Sequence, residues 1–365
     1  GKDCGTAEIN PLFSDFVYID RLSRIPAIME MPYNDIIRKF IDMYAGRLRN
    51  QVSFMLSACN FYMPIFEEAL DAYGLPLELR YLPIIESALN PSAVSRAGAS
   101  GLWQFMIGTG KIYGLESNSL VDERRDPIKA TWAAARYLKE MYDIYGDWNL
   151  VIAAYNCGPG TINKAIRRAN GETDYWKIYN YLPKETRGYV PAFIAANYVM
   201  TYYCDHNICP METNIPASTD TVQVNKNLHF EQIADLCNVP LDQIKSLNPQ
   251  YKKQMIPGDS KPYTLRLPID AISTFIDKQD TIYTHRADEL FRNRKTVAVK
   301  DITPATRKTT SAVAGKGNLT YYTIKSGDTL STIARKYGVT IKDIQRWNGM
   351  SSTKIAAGKR LKIYN

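Results

Sequence analysis

Between residues 74 and 205 the apolar positions recur at helical spacing, and strand-like alternation is nearly absent. In the run that follows Asp126-Pro127, a cap and first-turn pair, Trp132, Ala135, Leu138, Met141 and Tyr142 share one face. Asp147 is placed to cap WNLVIAAYN, which Gly158, Pro159 and Gly160 stop. A short helix over TINKAIRRA and an apolar one from Tyr189 to Tyr203 complete a set typical of a compact helical domain, bounded at 74–210. Upstream, Ile36, Ile37, Phe40, Ile41 and Tyr44 predict a helix over 35–48, and 51–73 gives another, with a bend at Pro64. Residues 1–73 therefore read as a helical extension packing on that domain.

The pattern changes near residue 210, where a Pro, Thr and Asn-rich connector leads into TVQV. The strand TVQV, two helices (FEQIADLCN and LDQIKSLN), a loop holding Pro257-Gly258 and the strand YTLRLP follow in order. The same grammar returns at the end of the chain, with Ile233, Val239, Ile244 and Asn248 matched by Ile333, Val339, Ile344 and Asn348. A repeat offset by about 100 residues predicts tandem βααβ modules, at 221–269 and 320–365. A connecting segment, 270–300, and a flexible linker, 301–319, lie between them. Asn225, Lys226 and Asn227 stand in the first copy where the second has Gly327, Asp328 and Thr329, which makes the first the degenerate one.

One carboxylic acid stands out from this pattern. Glu86 sits in the apolar run YLPIIESAL, ahead of a reversal through Pro91, Gly98 and Gly101 into Trp103-Gln104-Phe105-Met106. Desolvation raises a carboxyl pKa and keeps the group protonated near neutrality, as a general acid requires. A surface Glu at a helix end is the alternative that this stretch alone allows. No second carboxylate shares such a frame: Asp122 and Glu123 read as a polar loop, Glu67 and Glu68 as helix surface. Glycoside hydrolysis normally uses two carboxylates. A substrate that carries its own acetamido oxygen or an attacking ring hydroxyl needs only one. Gln104, Tyr155, Asn156 and Tyr189 are candidate sugar contacts. Trp103, Phe105, Met106 and Tyr155 read equally as core, and Asn156 as a helix C-cap.

Composition narrows the partners. The chain has 365 residues and a formal net charge of +8, spread along its length, which favours an anionic partner. Without a basic recognition helix or an aromatic-basic sheet motif, nucleic acid is excluded as the reading. The 25 tyrosines offer flat apolar faces suited to carbohydrate, and 3 histidines leave little for a metal site, so neither metal nor cofactor is expected. Cys204 and Cys209 bracket a short loop and are a candidate disulfide, which fits an extracytoplasmic setting.

ESALNP, GASGLWQFM, AYNCG and YLPKETRGYVP together resemble the successive motifs of lytic transglycosylases with a goose-lysozyme-like fold, the glycoside hydrolase family 23 type. The arrangement is most similar to the membrane-bound murein transglycosylase D type. YTIKSGDTLSTIARKYGVTIKDIQRWN resembles a LysM module, and 222–268 resembles one more weakly. The fold implied is an all-α lysozyme-like catalytic domain followed by two small LysM-type modules. The resemblance implies Glu86 as sole catalytic acid and base, cleaving between N-acetylmuramic acid and N-acetylglucosamine of peptidoglycan and closing a 1,6-anhydro ring. It implies substrate contacts from Ser87, Gln104, Phe105, Met106, Tyr155, Asn156 and Tyr189. Gly98, Gly101 and Gly158 would be structural turns, and Gly327, Asp328, Thr329, Leu330 and Asn348 would bind glycan in the last module. It further implies a monomer in the periplasm of a Gram-negative bacterium, with Cys4 a candidate for lipid attachment to the outer membrane. A lysozyme-like hydrolase and a non-catalytic wall-binding scaffold are the alternatives.

Overall fold

The computed structural model describes residues 9–213, 215–292, 319–325, 327–350, 352–353 and 355–364. Cys4 and nearly all of the expected linker lie outside them. The chain forms two compact units, 1–304 and 305–365.

The first unit opens with α1 (Asp15–Ser23), α2 (Asp35–Ala45) and α3 (Arg49–Ala72). Asn34 caps α2 by accepting from the Ile36 and Ile37 amides, and α3 runs unbroken through Pro64. A 3-10 turn, Leu77–Tyr81, then gives way to α4 (Leu82–Ser87). Pro83 occupies the first turn of α4, where its missing N–H costs nothing, and the short helix begins there. α5 (Ile107–Ile112), α6 (Pro127–Tyr145), α7 (Trp148–Cys157), α8 (Pro159–Arg168), α9 (Tyr175–Ile178), α10 (Lys184–Arg187) and α11 (Tyr189–Tyr202) follow. Asp126 and Asp147 cap α6 and α7, as their positions ahead of the apolar runs predict. α11 is buried nearly all round and forms the axis of the bundle. Tyr18, Ile37, Ile41, Val52 and Phe66 share one core with Trp103, Leu138, Val151 and Phe193. Helices α1 to α3 thus share the core of the helical domain that follows and are more than an extension laid upon it.

The small module that follows contains β1 (Thr219–Val224), β2 (Asn227–His229), α12 (Phe230–Cys237), α13 (Leu241–Leu247), β3 (Met255–Pro257) and β4 (Tyr263–Pro268). β1 pairs antiparallel with β4, from Thr219↔Pro268 to Val224↔Tyr263, and β2 pairs with β3. Residues 270–292 of the segment expected to connect the modules are instead part of this one. They run through α14 (Ile269–Asp277), α15 (Gln279–Thr284) and α16 (Ala287–Leu290), and Ala271, Phe275 and Ile282 are buried in the module's core. Apolar spacing over so short a stretch did not separate a packed helix pair from a charged connector.

The second unit pairs β5 (Leu319–Thr323) with β6 (Arg360–Tyr364) around α17 (Leu330–Tyr337) and α18 (Ile341–Asn348), over a core of its own. The predicted repeat holds down to one side chain. Asn248 donates to Ile244 O and Arg266 O and accepts from Arg266 N; Asn348 makes the same three bonds with Ile344 and Lys362. In both, one amide ties the second helix to the closing strand.

Candidate active site

Glu86 lies on the last turn of α4, and the chain reverses immediately behind it with Ala88 and Leu89 both at positive φ (52° and 59°). Left-handed backbone at two non-glycine residues in succession is strained and persists only where the surroundings over-determine it. Ser87 supplies part of that determination: its hydroxyl lies 2.9 Å from Leu102 O and 3.0 Å from Pro83 O, tying α4 to the turn across from it. Ser87 borders the cavity, but its hydroxyl is committed to the backbone.

The carboxyl of Glu86 faces a cavity of about 430 Å³ lined by Gln104, Ala93 and Val94 on one side and by Tyr44, Gln51 and Met55 on the other. Burial pushes it up to about 7, against the opposing effect of the Tyr189 hydroxyl, which donates a hydrogen bond to Oε1. Among the described residues lining this cavity, Glu86 is the single carboxylate. Tyr44, Gln51 and Met55 were missed as site residues because nothing in the spacing of α2 and α3 says which face meets Glu86.

Gln104 has φ 51° and lines the cavity, with its amide donating to Ala93 O (3.2 Å) and Gly101 O (2.8 Å). Phe105 does not line the cleft. It is 3% exposed and packs against Tyr113, Tyr137 and Tyr155, because the turn directs this ring inward while Met106, 45% exposed, points out. Tyr155 donates to Trp103 O at 2.6 Å, and burial together with the nearby Glu86 charge holds its hydroxyl well above the usual phenol range. Asn156 is exposed and accepts from the Thr186 hydroxyl at 3.0 Å. Glu86, Ser87, Gln104, Tyr155 and Tyr189 therefore converge, whereas Phe105 supports them from behind.

The turn that carries Gln104 is held by residues first read as a polar loop. Asp122 and Arg124 are buried and paired at 2.7 Å, and Arg124 donates to Gly98 O (2.8 Å) and Phe105 O (2.9 Å). Burial alone would raise the Asp122 carboxyl, yet the Arg124 guanidinium holds it below its ordinary value. Gly101, at φ 88°, passes so close that a Cβ would fall 1.7 Å from Arg124 O. Glu123 is also buried, where it accepts from the Glu116 amide and pairs with Lys129.

In the second unit, Asp328 closes the turn before α17 by accepting from Lys325 N and the Tyr322 hydroxyl, both at 2.8 Å. Gly327 and Thr329 are exposed there, but Leu330 is buried core and the Asn348 amide is taken up by the closing strand. The last two serve the framework, Leu330 by packing and Asn348 by its bonds to Ile344 and Lys362. Cys204 is half-buried in the 3-10 turn after α11 and Cys209 is exposed beyond it.

The chain is 32% identical over 339 residues to the membrane-bound lytic murein transglycosylase D of Escherichia coli (strain K12), covering 92% of this chain and 70% of that one. It belongs to the membrane-bound lytic murein transglycosylase D family. It is accordingly an enzyme of the lytic transglycosylase kind. Within it, residues 63–178 match the Transglycosylase SLT domain, 218–284 the Lytic transglycosylase MltD, LysM-like domain, and 322–363 the LysM domain. The soluble lytic murein transglycosylase of the same organism is 33% identical over 124 residues, 32% of this chain and 19% of that one. The crystal structure of the 70 kDa soluble lytic transglycosylase from Escherichia coli aligns with TM-score 0.35 at 28% identity, over 42% of this chain and 26% of that one. The SLT match encloses Glu86, Gln104 and Tyr155 and leaves out Tyr44, Gln51 and Met55 of the cavity wall and Tyr189, the hydrogen-bond partner of Glu86.

Proposed function

We propose that this enzyme cleaves the β-1,4 bond between N-acetylmuramic acid and N-acetylglucosamine in peptidoglycan and leaves 1,6-anhydro ends. The protonated Glu86 carboxyl donates its proton to the glycosidic oxygen as the C1–O bond breaks. The acetamido carbonyl oxygen of the muramoyl residue shares the developing positive charge at C1. The resulting Glu86 carboxylate then takes the proton of the C6 hydroxyl, whose oxygen bonds to C1 and closes the ring. No water is consumed, and Glu86 ends protonated as it began. The observation that carries this reading is a lone carboxyl, pushed up to about 7, in a cavity where no other described lining residue could activate water.

Tyr189 would tune the acid, Gln104 and Met106 would contact sugar, and Tyr155 and Asn156 would hold the acetamido region. The last module would bind glycan through the turn at Gly327, Asp328 and Thr329, with the first its degenerate copy. A periplasmic setting, a lipid on Cys4, a monomer and a bond between Cys204 and Cys209 belong to the same reading. Mass spectrometry of muropeptides released from purified peptidoglycan tests it, with Glu86→Gln beside the wild type. Products that resist borohydride and vanish with the variant support it. Reducible ends would make the enzyme a hydrolase, and wall binding without release would leave a scaffold.

A further inference from the structure

A cavity of about 1060 Å³, larger than the one of about 430 Å³ that holds Glu86, opens elsewhere in the first unit. It lies between α3 and the 89–92 turn on one side and α13 of the first LysM-like module on the other. Two aromatic rings of α3, Phe54 and Phe61, look into it, and Phe54 is 40% exposed. Polar groups rim it: Asn90 and Ser92 from the turn, Gln243 and Ser246 from α13. Flat aromatic faces bordered by amide and hydroxyl groups are what a sugar ring takes, and an unshielded aromatic surface of this kind usually marks a binding site.

This groove adjoins the catalytic cavity. Gln51 and Met55 wall the Glu86 cavity, and Phe54 and Phe61 on the same helix wall the groove; ten residues of helix, from Gln51 to Phe61, span about 15 Å. On the opposite wall the chain passes directly from Ala88 to Leu89 and from Ser92 to Ala93, one residue of each pair in either cavity.

The α13 wall is fixed in place. Val121 bridges to Tyr251, Lys252 N donates to Leu120 O at 2.9 Å and Asp122 N to Gln250 O at 2.8 Å. Leu120 and Val121 are buried in the module's own core, and Tyr263 and Lys261 both bond Glu116, at 2.9 and 2.6 Å. A tether would need none of this.

We propose that the groove is a second stretch of the glycan site, and that the first LysM-like module serves as one wall of the enzyme's substrate cleft. A strand bound across Glu86 runs on over Phe54 and Phe61 against α13. The inference rests on the glycan-cleaving function proposed above. Binding energy from this remote stretch is then available to the reaction only with long strands.

The test compares peptide-free glycan strands of graded length with the tetrasaccharide, using wild type, Ser246→Trp, which fills the groove from an exposed helix position, and Phe54→Ala, which removes a platform. Wild type is expected to prefer long strands in kcat/KM. Both variants should keep the tetrasaccharide rate and lose roughly tenfold on long strands. The same length dependence in all three would overturn the proposal and leave the groove to a peptide or protein occupant. Failure of wild type to cleave any strand would instead sink the function on which it rests.

Discussion

Glu86 is held between two opposed influences: burial raises its carboxyl to about 7, and the Tyr189 hydroxyl pulls it down. Since the first step needs the protonated acid, activity should fall as pH rises through about 7. In Tyr189→Phe the hydrogen bond that favours the carboxylate is gone, so this basic limb should move up by about one pH unit, as a pH–rate profile would show. Stability gives an independent readout. The folded carboxyl binds its proton more tightly than the unfolded one, so its contribution is fully present below the unfolded value of roughly 4 and is lost as pH rises through the folded value. Glu86→Gln should therefore unfold later than wild type at pH near 8 by about 1–3 kcal/mol, with little difference at pH near 4, in denaturant titrations. An equal gap at both pH values would show that the carboxyl is not desolvated.

At the scale of elements, the catalytic turn depends on a strand-poor loop that contributes no group to the cavity. Arg124 fastens Gly98 and Phe105, and Gly101 leaves no room for a side chain beside it. Gly101→Ala combines a positive φ with a collision against backbone and should cost about 2–4 kcal/mol by thermal unfolding. Arg124→Ala leaves Asp122 buried without its partner and should cost about 3–5 kcal/mol. At a temperature where it remains folded, its kcat should drop while Glu86 still titrates near its wild-type position, because the residue positions the turn and does not touch the acid.

The whole molecule uses its two small modules differently. The first shares buried residues with the catalytic domain, whereas the second has a separate core of Ile333, Ile344, Leu361 and Ile363. Removing residues 305–365 should leave the melting temperature of the first unit and cleavage of soluble strands unchanged, while binding to sedimented peptidoglycan falls several-fold. Removing 218–292 should fail differently, since it uncovers Leu120 and Val121 and takes the partners of Glu116. A lowered melting temperature, read in the same assay, is the expected result.

What the sequence by itself determined is whatever depends on near neighbours. The helices of 74–205 follow from apolar spacing, and Asp126-Pro127 and Asp147 set their starts because a cap acts within one turn. Glu86 stands out because its apolar frame is contiguous in the chain. The repeat at Asn248 and Asn348 is visible because in each copy the amide ties the second helix to a closing strand only 14 to 18 residues further on. The tertiary structure alone decided which faces meet. The local pattern of VDERRDP is that of any polar loop, and only the long-range pairing with the 98–105 turn makes Asp122 and Arg124 interior. Phe105 and Met106 are neighbours with opposite fates, decided by the left-handed backbone at Gln104. Tyr44 and Gln51 reach the cavity, and α13 faces α3, through packing between residues far apart in the chain, where spacing carries no information.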